Sequence, residues 1–197
     1  HKMQLTGGEI ILEYLIKEKV PYVLGIPGHG CLGMIDAFLG REDEIQFLQV
    51  RHEQSAVHMA DGYYRISGQP LAVYTSIGPG ATNTVIGAAT SYVDSTAVLI
   101  VTGDTHTYMV GKGVLQEIER KHDSDFSKIM EPIVKRYWQV NDVRQLPNIM
   151  SRAFNQMLTG RRGPVHIAMP MNVQANSVDV EIPEPQECKP SGIPIAD

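Results

Sequence analysis

The chain has 197 residues, of which 43% are hydrophobic and 20% are charged, enough to bury the core of one large domain. Its formal net charge is −5 and it has no dense Lys/Arg run, so it lacks the positive charge that would neutralise a phosphate backbone. Nucleic acid is therefore not expected as a partner. No apolar run approaches the ~20 residues that a membrane span needs, and no signal-peptide pattern opens the chain. We therefore expect a cytoplasmic protein that does not bind membranes.

Both ends of the chain are expected to lie outside the folded domain. Residues 1–3 are interpreted as a cloning remnant ahead of a native start, and the domain is predicted over residues 4–178. Residues 179–197 contain four prolines and no apolar period, which is typical of a linker and predicts a further domain beyond it. The two cysteines, Cys31 and Cys188, give neither a disulfide framework nor a metal-binding pattern, and Cys31 is expected to be a packed thiol, not a nucleophile.

Apolar runs alternate with helical patterns along most of the chain. Thr6 and Glu9 have the spacing of a capping box, which predicts that the first element is a helix. Strands are then predicted at 22–26, 45–50, 71–74, 97–101, 133–138 and 163–169, with a looser stretch between 103 and about 130 that is typical of a functional loop. The strands are continuously apolar, as in a sheet covered on both faces. This pattern predicts an α/β three-layer sandwich with about six mostly parallel strands and helices on both faces.

Two glycine-rich loops follow predicted strands. In the first, Gly28, Gly30 and Gly33 match the G-x-G-x-x-G pattern of dinucleotide-binding loops. Pro27 at the turn and a helix ahead of the strand argue against that function. The second loop opens a helix over residues 78–83, where free backbone N–H groups would either bind a polar ligand or belong to a tight turn.

Glu53 lies where the strand at 45–50 gives way to a helix that is predicted to end at Gly68. Ligands of parallel sheets bind at the carboxyl ends of strands, so this carboxylate is a candidate functional group. The simpler interpretation is that an acidic residue in the first turn complements the helix dipole, an effect worth roughly 0.3–1 kcal/mol. Position alone leaves both interpretations open.

The histidines do not predict a metal site. His52 and His58 are six residues apart on the predicted helix, which puts their rings on opposite sides, so they cannot share a zinc ion. His166 lies in a predicted strand, where a role in the core or at the sheet edge is expected. No nucleophile-elbow motif supports a Ser/His/Asp site.

The order of these signals resembles the pyrimidine-binding domain of thiamine diphosphate enzymes, and most closely that of the acetolactate synthase-like group. The resemblance rests on an ordered set of motifs, at residues 25–28, 51–53, 60–63, 76–83 and 102–104. It extends to residues 115–117 and 161–165, and covers nearly the whole chain to about Val173.

The resemblance implies a role for Glu53. In this family the matching glutamate hydrogen-bonds a ring nitrogen of the cofactor's aminopyrimidine and favours the imino tautomer, which takes the proton from the thiazolium carbon. That role needs a carboxylate shielded from water, and a subunit interface would supply the shielding. The cofactor-binding positions of the family match four further residues: Pro27, Gly28, Gly78 and Asn83.

The implied activity is that of a C–C lyase or carboligase acting on a 2-keto acid or a related carbonyl compound, with Gln116 near the substrate. At His29 the chain departs from the small residues usual in acetolactate synthases, so this residue would either shuttle protons near the substrate or hydrogen-bond the loop. The remaining alternative is a non-catalytic or Rossmann-like dinucleotide-binding domain that uses Gly28, Gly30 and Gly33.

The resemblance also implies partners. The family holds Mg²⁺ with a G-D-G motif and paired asparagines, and residues 103–105 do not form that motif. Mg²⁺ is therefore expected on a missing diphosphate-binding domain, without which this domain is inactive. A homodimer is expected through the face around Glu53 and the Gly78 helix. FAD is a possible further cofactor, with Lys135 as one residue that would touch it.

Overall fold

The computed structural model describes residues 1–109 and 126–187. The strands in these ranges are β1 (Met3–Thr6), β2 (Tyr22–Gly25), β3 (Gln46–Gln49), β4 (Ala72–Thr75), β5 (Leu99–Asp104), β6 (Arg136–Gln139), β7 (Val165–Pro170) and β8 (Ser177–Val180). The α-helices are α1 (Gly7–Lys17), α2 (Leu32–Ile35), α3 (Glu53–Ser67), α4 (Pro79–Thr82), α5 (Val85–Val93), α6 (Ser127–Met130), α7 (Leu146–Leu158) and α8 (Met171–Ala175). Among the described residues, no helix has the length and apolar character needed to cross a bilayer.

Strands β2 to β7 form one parallel sheet in the order β3-β2-β4-β5-β7-β6. The three strands β4, β5 and β7 are buried along their whole length, which explains their continuous apolar runs. Helix α1 packs with α2, α7 and α8, whereas α3 packs with α5. The predicted fold class, an α/β sandwich around a six-stranded parallel sheet, is confirmed.

A short antiparallel ribbon lies outside this sheet. The prediction that the first element is a helix is wrong, because β1 precedes α1 and pairs with β8, with Met3 opposite Val180. The capping box itself is present at Thr6 and Glu9. A four-residue strand is too short to show an alternating apolar pattern, and its partner β8 lies near the other end of the chain, so the sequence around β1 does not predict it. The domain boundary predicted at residue 178 falls inside β8, and Ile182 beyond it is also buried. The assignments of residues 1–3 and of a linker stay predictions.

The helical segments after the two glycine loops are more broken than predicted. The segment expected as one helix to Gly40 consists of the four-residue α2 between two 3₁₀ turns, His29–Cys31 and Asp36–Phe38. The helix expected after Gly78 is divided into α4 and α5.

The connections of β2 and β4 leave the sheet in opposite directions. These strands are neighbours, but the chain runs from β2 to β3 on one side and from β4 to β5 on the other. Such a switch in direction opens a crevice at the carboxyl ends of the two strands. The loop after β2 (residues 26–31, the first loop) and the loop after β4 (residues 76–80, the second loop) border this crevice.

Candidate functional site

A pocket of about 480 Å³ lies at the crevice between β2 and β4. It is lined by both loops and by the start of α3, through Ile26, Pro27, Gly28, His29, Gly30, Glu53, Ser76, Ile77 and Gly80. Its volume falls in the range of roughly 300–1,000 Å³ that is typical of small-molecule sites. Among these lining residues, Glu53 and His29 are those with ionisable side chains.

The first loop is fixed by contacts on several sides. The backbone N–H of Gly30 donates to Ser76 Oγ at 3.1 Å, and its carbonyl accepts from Gln174 Nε2 at 2.8 Å. A Cβ on Gly30 would lie 2.4 Å from Ile77 Cγ1, and one on Gly28 would lie 2.8 Å from Ser76 Cβ. The glycines of this loop therefore allow the two loops to approach each other closely.

The second loop turns sharply into α4. Gly78 has a φ of +64°, a conformation that residues with a Cβ rarely adopt. Its carbonyl accepts hydrogen bonds from the backbone N–H of Thr82 at 2.9 Å and from Thr82 Oγ1 at 3.0 Å. Gly78 thus allows the sharp turn into α4, and Gly80, two residues later, lines the pocket.

The carboxylate of Glu53 is half-buried at the first position of α3. The helix is capped one residue earlier by His52, whose Nδ1 accepts from the backbone N–H of Gln54 at 3.1 Å. Glu53 Oε2 accepts a hydrogen bond from Asn83 Nδ2 at 3.0 Å. Its Oε1 lies beside Gly80, where a Cβ would be only 3.1 Å away. The carboxylate thus borders the pocket with one oxygen and bonds an amide with the other.

Cys31 lies fully buried behind the first loop. Its Sγ is 3.5 Å from the Gly28 carbonyl oxygen, to which it donates. Burial raises the pKa of this thiol to about 11; the hydrogen bond to Gly28 opposes the rise, and the charge of Glu53 adds to it. The prediction of a packed thiol is confirmed, since such a group is not a thiolate at neutral pH.

The histidines differ in their surroundings. His166 is completely buried, with Nε2 2.8 Å from Thr102 Oγ1, and burial lowers its pKa to about 3, so its predicted core role is confirmed. His29 is exposed at the pocket, and its ring makes no hydrogen bond to another described residue. Within the described ranges, no group of three or more side chains that could hold a metal ion occurs.

The structure brings Pro27, Gly28, His29 and Glu53 together in the pocket. Gly78 and Asn83 lie next to it, at the turn and against the carboxylate, whereas Gln116 lies outside the described residues. The roles of these residues towards a cofactor or substrate stay predictions.

Sequence reasoning did not select Ser76, Ile77, Gly80 or Gln174. Their contacts join segments far apart in the chain, as with Ser76 and Gly30, 46 residues apart, or Gln174 and Gly30, 144 residues apart. The only available signal was that Ser76, Ile77 and Gly80 belong to a glycine-rich loop after a strand.

The chain belongs to the thiamine pyrophosphate enzymes, whose N-terminal TPP-binding domain matches residues 5–124. It is similar to the probable acetolactate synthase large subunit of Methanocaldococcus jannaschii, with 37% identity over 177 residues, 90% of this chain and 29% of that protein. The acetolactate synthase isozyme 3 large subunit of Escherichia coli is 36% identical over 182 residues, 91% of this chain and 30% of that protein. The acetolactate synthase large subunit of Lactococcus lactis is 37% identical over 180 residues, 91% and 30% of the two chains. The chain thus spans about three tenths of the length of these relatives.

The alternative of a Rossmann-like site is not favoured. Gly28 and Gly30 are occupied in loop packing, and a Cβ on Gly33 would lie 2.8 Å from Gln174 Cβ. The first loop also ends in a 3₁₀ turn and is followed by a four-residue helix, not by the long helix whose N-terminus binds pyrophosphate in such sites.

Proposed function

We propose that this chain is the pyrimidine-binding part of a longer thiamine diphosphate-dependent enzyme of the acetolactate synthase-like group. The enzyme would cleave or form a C–C bond next to the carbonyl of a 2-keto acid or a related compound. Its overall reaction would be that of a lyase, carboligase, transferase or decarboxylase. The proposal rests on one observation above all: the Glu53 carboxylate borders a pocket of about 480 Å³ at the switch between β2 and β4. Membership of the thiamine pyrophosphate enzymes and the names of the similar proteins support it.

The lining residues fit the aminopyrimidine half of thiamine diphosphate. Glycine backbones and the apolar side chains of Ile26 and Ile77 leave room for a flat aromatic ring, and Glu53 offers an acceptor at the edge of that space. When bound, the cofactor supplies a carbon nucleophile and an electron sink for chemistry next to a carbonyl. Glu53 would hold or release a proton at Oε1, towards the ring nitrogen. Pro27 and Gly28 would bound the ring on the side of the first loop.

His29 is proposed to face the carbonyl substrate. Its imidazole is exposed at the pocket and makes no hydrogen bond to another described residue, so its ring nitrogens are available to a substrate. The alternative role, a hydrogen bond that holds the loop, is filled by Ser76 and Gln174 instead. Gln116, which lies outside the described residues, is proposed to lie near the substrate.

The second half of the active site is proposed to lie on a diphosphate-binding domain that holds Mg²⁺, facing this chain in a homodimer. Large apolar side chains are exposed on α3, the helix that begins with Glu53, and on α5, which follows the second loop and α4. These side chains suit such an interface: Met59, Ile66, Ile86, Tyr92 and Val93. This chain alone would then be inactive. A cytoplasmic location completes the proposal. FAD is not part of it, because Lys135 Nζ donates to the backbone carbonyls of Gln156 and Thr159.

The proposed function is tested by Glu53→Gln in the protein assembled with its remaining domains. We expect thiamine diphosphate-dependent turnover of a panel of 2-keto acids and diketones to fall on the order of 10²-fold or more, as for loss of a general acid–base group. Glu42→Gln, at an exposed glutamate ahead of β3, is the matched control. Undiminished turnover in Glu53→Gln would contradict the proposal.

A further inference from the structure

Asn83 lies at the break between α4 and α5, and its backbone is held on both sides. Its N–H donates to the carbonyl of Pro79 at 3.1 Å. The next residue, Thr84, donates through its N–H and its hydroxyl to the carbonyl of Ala81, at 3.1 and 2.7 Å. The amide of Asn83 is therefore presented from a fixed point of the chain.

Helix α5 is in turn fixed against α3, the helix that begins with Glu53. A Cβ on Gly87 would lie 2.5 Å from Val57 Cβ, so the two helices are in close contact. Further along, Ser91 Oγ donates to Asp61 Oδ2 at 2.7 Å. These contacts fix the distance between the amide at the start of α5 and the carboxylate at the start of α3.

The two oxygens of the Glu53 carboxylate have different surroundings. Oε2 accepts the hydrogen bond from Asn83 Nδ2, and Oε1 lies beside the pocket-lining Gly80. Asn83 is not among the residues that line the pocket. Because the terminal torsion of a glutamate is broad, the carboxylate would rotate readily without this hydrogen bond.

We propose that Asn83 is a positioning residue, which acts on the cofactor through Glu53 and does not bind it directly. By donating to Oε2, the amide leaves Oε1 as the oxygen that shares a proton with the aminopyrimidine ring. This inference rests on the function proposed for Glu53. The contact is exposed in this chain, where water competes with it, and a covering domain would strengthen it by lowering the local dielectric constant.

A double-mutant cycle in the assembled enzyme tests whether Asn83 acts through Glu53. The measured quantities are the rate of hydrogen–deuterium exchange at the thiazolium carbon of added thiamine diphosphate, and the half-saturating cofactor concentration. Asn83→Leu keeps the size of the side chain but removes the donor. We expect it to slow exchange at saturation at least about tenfold, since a hydrogen bond to a charged group is lost, with less than about a threefold change in half-saturation. In the Glu53→Gln background, the same substitution should have no further effect.

Two further variants separate positioning from general damage. Asn83→Gln keeps an amide donor and should restore part of the exchange rate. Asn148→Leu makes the same chemical change at an exposed site on α7, and exchange should stay at the wild-type rate. Crystal structures of the cofactor-free enzymes give a readout that is independent of activity: the Glu53 carboxylate should be rotated in Asn83→Leu and retained in Asn83→Gln.

The outcomes distinguish the two proposals. An equal loss from Asn83→Leu in the wild-type and Glu53→Gln backgrounds would overturn the positioning role. So would a raised half-saturation with unchanged exchange at saturation, or an unmoved carboxylate in the crystal structure of Asn83→Leu. Full exchange in Glu53→Gln alone would instead contradict the function proposed for Glu53.

Discussion

The backbone N–H of Gly30 donates to Ser76 Oγ at 3.1 Å, and this hydrogen bond joins the two loops on either side of the switch between β2 and β4. Gly28 approaches the same serine, since a Cβ there would lie 2.8 Å from Ser76 Cβ. The Ser76 side chain therefore contacts both glycines of the first loop and helps to hold the two walls of the pocket close together.

Ser76→Ala removes the acceptor for the buried N–H of Gly30. We expect the free energy of unfolding to fall by about 1–3 kcal/mol, the usual effect of a buried donor left without a partner. Urea denaturation of the protein measures the change. Ser177→Ala, at an exposed serine in β8, should stay within about 0.5 kcal/mol of the wild type. Equal effects of the two substitutions would show that the Gly30 hydrogen bond does not stabilise the loops.

Gly80→Ala separates stability from activity. Alanine is favoured over glycine in a helix by roughly 0.5–1 kcal/mol, so the variant should be at least as stable as the wild type. Its Cβ would lie 3.1 Å from Glu53 Oε1 and must displace the carboxylate by a few tenths of an ångström. We expect thiamine diphosphate-dependent turnover of the assembled enzyme to fall while thermal stability is kept. Gly62→Ala in α3 is the control, because a Cβ there meets nothing within 4 Å. Full turnover in Gly80→Ala would mean that Oε1 is not the reacting oxygen.

The elements that the sequence predicted are those with a local cause. Helix α3 begins at Glu53 and ends at Ser67, with Gly68 as a left-handed cap. Its apolar period lies within the helix and its glycine stop follows directly, so both signals are local. Strands β4 and β7 were also predicted, because both are fully buried and their sequences are therefore continuous apolar runs.

What the sequence did not predict depends on contacts between distant residues. The pairing of β1 with β8 joins the two ends of the described chain. The contact between Glu53 and Asn83 spans 30 residues, and it depends on how α5 packs against α3. Motif order identified both residues as candidates, but their geometry required the packed helices.

Stability should depend on pH through His166, whose pKa is lowered by burial from 6.5 to about 3. Between these pH values the unfolded chain binds a proton that the folded chain does not, so stability falls as the pH drops below about 6.5. Through this group, the free energy of unfolding should change by up to about 1.4 kcal/mol per pH unit. His166→Gln, which does not ionise, should show a shallower dependence in urea denaturation between about pH 7.5 and pH 5.5. His58→Gln, at an exposed ring, should follow the wild type. Parallel curves for wild type and His166→Gln would contradict the prediction.

Asp61 is buried between α3 and α5 and accepts hydrogen bonds from Arg65 Nε and Ser91 Oγ. Burial alone would raise the pKa of this carboxyl, but the hydrogen bonds and the charge of Arg65 outweigh it and the pKa is lowered from 3.8. A carboxyl group with a lowered pKa stabilises the folded state above its ordinary pKa, and this contribution is lost as the pH falls through the folded value. Asp61→Asn should therefore lower the free energy of unfolding by about 1.5–3 kcal/mol at neutral pH. The difference should narrow below about pH 4, where Asp61 of the unfolded chain begins to take up a proton and the folded chain does not yet do so. Asp179→Asn, at an exposed position in β8, is the control in urea denaturation, and a loss for Asp61→Asn that is the same at neutral and acidic pH would show that the charge of Asp61 does not join α3 to α5.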